Sequence, residues 1–283
     1  MKGRAWAARR LGLVVLVLWS TPAAAGPWTR DQGHGFVITG WSRIAATSVF
    51  AADGSTVPIR RYEQNAWSGY GELGLVSRWL TATVESTLVR DNQQGDDHTA
   101  GMGEWRFGAW SGVVVRPVRL SLGATVTVPL GSPTPRDVGA GRLPLGSGEF
   151  QLDLRAAFGW SWNGGRRWPL RHYFVVEAGY WRRELFADSF VYRAELGLQL
   201  PWRVVDRLWI IGRLIGVESF ASAARASSDP TGLDDGFTVV APGVEGVVRL
   251  WRGLSVGAGF ETALRARAVA AGRQLHAGVS WTW

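Results

Sequence analysis

The stretch RQLHAGVSWTW, residues 273–283, decides how the rest of the chain is read. Leu275, Ala277, Val279, Trp281 and Trp283 share one parity, and Gln274, His276, Gly278, Ser280 and Thr282 share the other. A period of two makes this a strand with one wholly apolar face and one polar or small face. The strand ends on an aromatic residue, with nothing after it to cover the apolar face. In water such an edge would be an aggregation site. In a closed sheet surrounded by lipid, the strand pairs with the first one and its apolar face meets acyl chains.

Working upstream, the same pattern recurs. In residues 79–89, Leu80, Ala82, Val84 and Leu88 oppose Thr81, Thr83, Glu85 and Thr87. In 118–128, Leu120, Leu122, Ala124, Val126 and Val128 oppose Arg119, Ser121, Gly123, Thr125 and Thr127. In 149–162, Phe150, Leu152, Leu154, Ala156, Phe158, Trp160 and Trp162 oppose Gln151, Asp153, Arg155, Ala157, Gly159 and Ser161. Further strands are expected at 35–43, 64–75, 103–115, 171–182, 190–201, 207–217, 237–250 and 254–264. The 207–217 stretch alternates least, because Trp209, Ile210 and Ile211 are consecutive.

With the closing strand this makes about twelve, an even number as bacterial barrels have. The connections after the second, fourth, eighth and tenth strands are short, and the one after the sixth is somewhat longer. Those after the first, third, fifth and ninth are long and polar, such as DNQQGDDHTAG at 91–101, and two are intermediate. Outer-membrane barrels have short periplasmic turns and long external loops, so both termini are expected in the periplasm. Trp79, Trp168, Trp202, Trp209, Trp251, Trp281 and Trp283 would then form one interfacial girdle, and Trp41, Trp105 and Trp181 the other.

The start of the chain agrees with export. Lys2, Arg4, Arg9 and Arg10 precede an apolar run at 11–19 and the small residues Ala23, Ala24 and Ala25, the layout of a cleaved secretory signal. Residues 1–25 therefore read as signal, and 26–283 as one barrel domain with a short periplasmic lead at its start. Removing the signal takes four cations and no acids, lowering the formal charge from +8 to +4. The chain has no cysteine, so it has no disulfide framework. Its arginines are spread among carboxylates rather than clustered, which argues against nucleic acid as a partner. Lipid is the expected surroundings.

The polar parity carries the candidate chemistry. Glu72, Glu85, Glu104, Asp153, Glu177, Glu195, Glu245 and Glu261 are expected inside, with Arg106, Arg155, Arg193 and Arg249. Such charges either line a polar path that selects solutes or pair with one another and close the lumen. A barrel of this strand number lies between filled and wide ones, and a narrow or plugged lumen is the expectation. No catalytic set stands out. His34, His172 and His276 fall at expected periplasmic ends, and His98 lies in an external loop beside Asp96 and Asp97. An outer-membrane lipid-modifying enzyme is thus the weaker reading. The oxygen-rich runs at 91–97 and 229–235 lack calcium-loop spacing and read as turns. Gly146 and Gly148 precede a strand rather than a helix, so they make no nucleotide fingerprint, and no cofactor or metal is expected.

Three resemblances follow from these residues. The final strand is similar to the C-terminal signal by which bacterial outer-membrane barrels meet their assembly machinery, carried by Leu275, Val279, Trp281 and Trp283. LPLGSGEFQLDLRAAFGWSW, 143–162, resembles the outer-membrane transporter family associated with the meta-pathway of phenol degradation. GPWTRDQGHGFV at 26–37 and SGYGELGLVSRWL at 68–80 resemble related uncharacterised barrels. The quoted stretches make up about a fifth of the chain. They imply an all-β, transmembrane, antiparallel up-and-down barrel in the outer membrane and transport of small or hydrophobic solutes, without naming a substrate residue.

Overall fold

The computed structural model describes residues 27–114, 118–130, 143–163, 171–200, 208–221, 230, 231, 233 and 236–283. The expected signal lies outside them, as do Trp168 and Trp202. Fifteen strands run in chain order: β1 (Gly35–Phe50), β2 (Thr56–Val76), β3 (Leu80–Gln94), β4 (Asp97–Gly101), β5 (Trp105–Val114), β6 (Arg119–Val128), β7 (Gln151–Asn163), β8 (Arg171–Arg183), β9 (Ser189–Gln199), β10 (Leu208–Ser219), β11 (Thr238–Trp251), β12 (Leu254–Thr262), β13 (Arg265–Arg267), β14 (Val269–Ala270) and β15 (Arg273–Thr282). Twelve are staves of one antiparallel barrel, paired in sequence order except where β4, β13 and β14 are short additions to its rim. Pairing of β10 with β11 and of β1 with β15 leaves no free edge. Closure is what lets such a sheet exist in hydrocarbon.

The closing strand behaves as its alternation demands. It pairs with β1 from Phe36↔Thr282 to Ala45↔Arg273 and with β12 from Leu254↔Trp281 to Thr262↔Arg273. Trp283 extends the ladder by exchanging backbone hydrogen bonds with Gly35 at 3.2 and 3.3 Å. The terminal end of the barrel is the end where β1 begins and β15 finishes; the loop end is the opposite one.

Burial is inverted relative to a water-soluble protein. Leu122, Phe158, Phe260 and Leu275 are exposed on the outer wall, whereas Thr81, Ser121, Thr127 and Glu177 are buried inside. The apolar parity therefore faces out and the polar parity faces in, which fits lipid outside.

Several strands are longer than their patterns suggest. A transmembrane strand needs about 9–11 residues; β1 has 16 and β2 has 21. Most of the expected 44–61 connection is thus strand standing above the apolar belt, with β1 and β2 paired as far as Phe50↔Thr56. Likewise 91–101 is mostly a hairpin of β3 with β4, turning at Gly95, where φ is +60° and glycine is favoured. A bulge between β2 and β3 leaves Leu88 unpaired, so the inward parity passes from Thr87 to Arg90.

The tryptophan girdles need correction. Trp79, Trp251, Trp281 and Trp283 are exposed at the terminal end as expected. Trp209 points inward instead, its ring 5.6 Å from Tyr173. Trp181 also points inward, and its indole N–H donates to Gln151 at 3.1 Å.

Candidate functional site: the charged lumen

Most of the inward acids meet arginines in a band around the inner wall. Arg106 on β5 reaches Glu85 on β3 at 3.3 Å and Asp153 on β7 at 3.0 Å. Arg155 binds the same Asp153 at 2.5 Å and approaches Glu177 on β8 at 3.7 Å. Arg193 pairs with its strand neighbour Glu195, whose carboxylate also accepts the Tyr173 hydroxyl. Arg213 on β10 then joins Glu195 at 4.0 Å, Glu261 at 3.4 Å and Glu245. Burying so many charges is tolerable only because opposite signs alternate along the band.

Three expected members stand apart, Glu72 among them because its partner is Arg30. Glu104, just before β5, accepts from the Ser147 backbone N–H and so holds a loop rather than joining the band. Arg249 is exposed near the terminal end of β11, outside the band. Sequence reasoning missed Arg213, the arginine that three acids share. The run Trp209-Ile210-Ile211 hides its parity, although Glu245 and Glu261 on neighbouring strands signal a need for a cation.

The lead before β1, expected to hang in the periplasm, lies inside the barrel. Arg30 pairs with Glu72 on β2 at 2.5 Å, and its backbone N–H donates to Thr81 on β3 at 2.8 Å. Trp28 meets Tyr173 on β8 edge-to-face at 5.6 Å, and Pro27 is fully buried over Gly159 on β7. Residues 27–32 thus cross the lumen between nearly opposite walls. The buried Glu72 draws Arg30 inward, and nothing in the local alternation reveals that. At the rim, Arg78 donates to Asp31 at 3.0 Å, with Ser77 also donating to it, and these bonds hold the Asp31 carboxyl below its ordinary pKa.

A second segment closes in near the loop end. Leu143, Pro144 and Leu145 are buried, Leu143 among Ala46, Tyr62 and Ala270. Asn92 donates to the Pro144 carbonyl at 2.7 Å. The far side is fixed by Glu149, which accepts from Arg183 at 2.7 Å and from the Leu185 N–H at 2.6 Å. The Leu143–Glu149 stretch, which reads as the end of a Gly/Pro-rich loop, is therefore a strap across the lumen.

Between lead and strap, against the β15–β1–β2–β3 wall, is a cavity of about 240 Å³. Ile38, Ile44, Ser42, Ala66, Tyr70, Arg90 and His276 are among its lining residues. His276 was expected at the periplasmic rim. Because β15 runs from the loop end, the third position after Arg273 instead sits inside the wall, 3% exposed.

The other histidines form no nucleophile–base pair among the described residues. His34 contacts the Trp283 carbonyl at 2.9 Å, His98 contacts Asp91 at 2.8 Å, and His172 stacks on Trp162. Asp97 of the oxygen-rich loop is engaged by Arg60 at 3.1 Å.

No family model and no curated protein matches the chain, so the phenol-pathway family name is not confirmed. Among solved structures, an outer membrane channel from Pseudomonas putida F1 is similar over 93% of this chain and 100% of that one, with TM-score 0.67 and 14% identity. The translocator domain of the autotransporter NalP from Neisseria meningitidis covers 89% of this chain and 90% of its own, with TM-score 0.44 and 10% identity. At 14% identity the first likeness speaks to architecture, and the chain has the fold of bacterial outer-membrane β-barrels.

Proposed function

We propose that the protein is an outer-membrane channel or transporter-like barrel for small or hydrophobic solutes. In this reading residues 1–25 are removed on export and both termini face the periplasm. The observation that carries it is the band of paired charge from Glu85 to Glu261, lining the inside of a barrel whose outside is apolar. A filled structural barrel could use well-packed apolar residues inside at no loss of stability, and often with a gain. A charged band instead gives a polar path its ion preference. The lead and strap narrow that path, which favours small solutes over wide, unselective diffusion. The fold shared with the Pseudomonas putida channel is consistent with it.

Single-channel recording of the refolded protein in a planar bilayer tests the reading. Steady conductance is expected, with preference shifting toward cations in Arg106→Gln, which leaves Asp153 and Glu85 less neutralised. A silent bilayer from a barrel that still shows heat-modifiable gel migration would refute the channel and leave a sealed, structural barrel.

A further inference from the structure

The cavity between lead and strap has the composition of a binding site. Its centre is a row of four residues in register on adjacent strands: Arg90 pairs with Ala66, Ala66 with Ser42, and Ser42 with His276. Strands stand about 4.8 Å apart, so Arg90 and His276 are about 14 Å apart at their Cα atoms. The two small residues between them leave the wall recessed.

The lining divides by chemistry. Ile38, Ile44, Ala66 and the Tyr70 ring supply an apolar surface. Ser42, Ser68, Thr87, Gln64 and Gln274 supply hydroxyls and amides. The Tyr62 hydroxyl donates to the Gln64 side-chain oxygen at 3.2 Å, which leaves the Gln64 amide N–H groups to donate.

Two polar groups facing this space are unsatisfied. Both ring nitrogens of His276 are buried without a hydrogen-bond partner, and so is Nε of Arg90. Buried polar atoms are nearly always partnered by protein, water or ligand, and the cavity beside these atoms is where such a partner would sit. Charge decides its sign. Among the described residues no carboxylate forms an ion pair with Arg90, and the one carboxylate in the lining, Glu85, is engaged by Arg106 at 3.3 Å. Glu104 lies close enough to attract the Arg90 guanidinium, but it makes no ion pair with it and is held by Ser147. The open Nε therefore still calls for an acceptor, and a carboxylate is the acceptor a guanidinium matches in two parallel hydrogen bonds. At about 240 Å³ the cavity is smaller than typical drug-sized pockets of about 300–1,000 Å³, so the body attached to the carboxylate must be short.

We infer that this cavity binds a small monocarboxylate with an apolar body, its carboxylate held by Arg90 and its body lying along Ile38, Ile44 and Tyr70. His276 faces the same space and supplies a hydrogen-bonding edge. The inference rests on the reading that solutes enter the lumen, and it adds a chemical class to that reading.

The test is equilibrium binding of carboxyl-¹³C butanoate to the full-length mature barrel, measured by NMR in detergent micelles. Butanoate is present during refolding, so that slow entry past the lead and strap does not limit binding. Saturable binding is expected for butanoate and not for butan-1-ol or butylammonium. Arg90→Gln should weaken it roughly tenfold or more, the scale of one charge-assisted hydrogen bond. Arg90→Lys, which keeps the charge but not the two parallel hydrogen bonds, should bind at an intermediate level, and Ala66→Leu, which fills the recess without removing a charge, should abolish it. If butanoate shows no saturable binding, if butan-1-ol binds equally well, or if a folded Arg90→Gln barrel binds unchanged, the proposal is wrong. Binding is read in micelles and conductance in bilayers, so failure of this site is distinguishable from failure of the channel reading.

Discussion

At the scale of single residues, Arg213 holds the most. Its side chain is 1% exposed and faces three carboxylates from β9, β11 and β12. Arg213→Met would keep much of the volume while leaving Glu245 and Glu261 buried without their cation. The expected cost is about 3–5 kcal/mol, the usual penalty for breaking a buried pair; urea unfolding followed by tryptophan fluorescence measures it. A loss well under about 1 kcal/mol would mean that the cluster is hydrated enough to stand alone. Asp31 makes a different prediction. Hydrogen bonds from Arg78 and Ser77 depress its pKa, so its contribution is present above its ordinary value of 3.8 and is lost as pH falls below it. A spin label on Gln32→Cys should therefore stay immobile at pH 3.8 and gain mobility only as pH falls further, through the lowered pKa, whereas Asp31→Asn should be mobile already at pH 7. Unchanged label mobility in Asp31→Asn at pH 7 would remove Asp31 as an anchor of the lead. Individual lumen acids such as Glu177 and Glu195 were legible because strand alternation alone assigns a face. Arg213 and His276 were not, the first because an apolar run blurred its parity, the second because its depth depends on strand direction.

At the scale of elements, the staves were legible and the segments between them were not. Alternation is a local property, so residues 118–128 and 149–162 announce strands by themselves. The lead and the strap are held by contacts between residues far apart in sequence, Arg30 with Glu72 and Glu149 with Arg183, which no period encodes. The lead can be displaced without touching its own residues. A Cβ at Gly159 would lie 2.2 Å from Pro27 Cγ, closer than any real contact, and the wall there is strand backbone that cannot retreat. Gly159→Leu should therefore push the lead out of the lumen and raise single-channel conductance, with the same effect as deleting residues 27–32. If both variants conduct like the parent, the lead does not limit the path, and the strap becomes the narrower point.

At the scale of the whole molecule, the alternation of residues 273–283 anticipates a closed barrel because an unclosed one would leave that strand's backbone unpaired in lipid. What remains to be read is which way the barrel faces. β1 begins and β15 finishes at one rim, beside the tight β2–β3 turn through Ser77, while the long β1, β2 and β3 strands stand out at the other. Polar strand extending beyond the apolar belt needs water on that side, and outer-membrane barrels place their longer connections outside the cell. A cysteine reporter for the loop end belongs at Asp96, which is exposed, rather than at Gly95, whose positive φ and closeness to Arg60 would strain a side chain. With the chain expressed in a Gram-negative host, Asp96→Cys should react with a membrane-impermeant thiol reagent on intact cells. Ser77→Cys should react only after the outer membrane is opened. Labelling of Ser77→Cys alone on intact cells would invert the barrel, placing the lead and both termini outside and the charged band's mouth toward the periplasm.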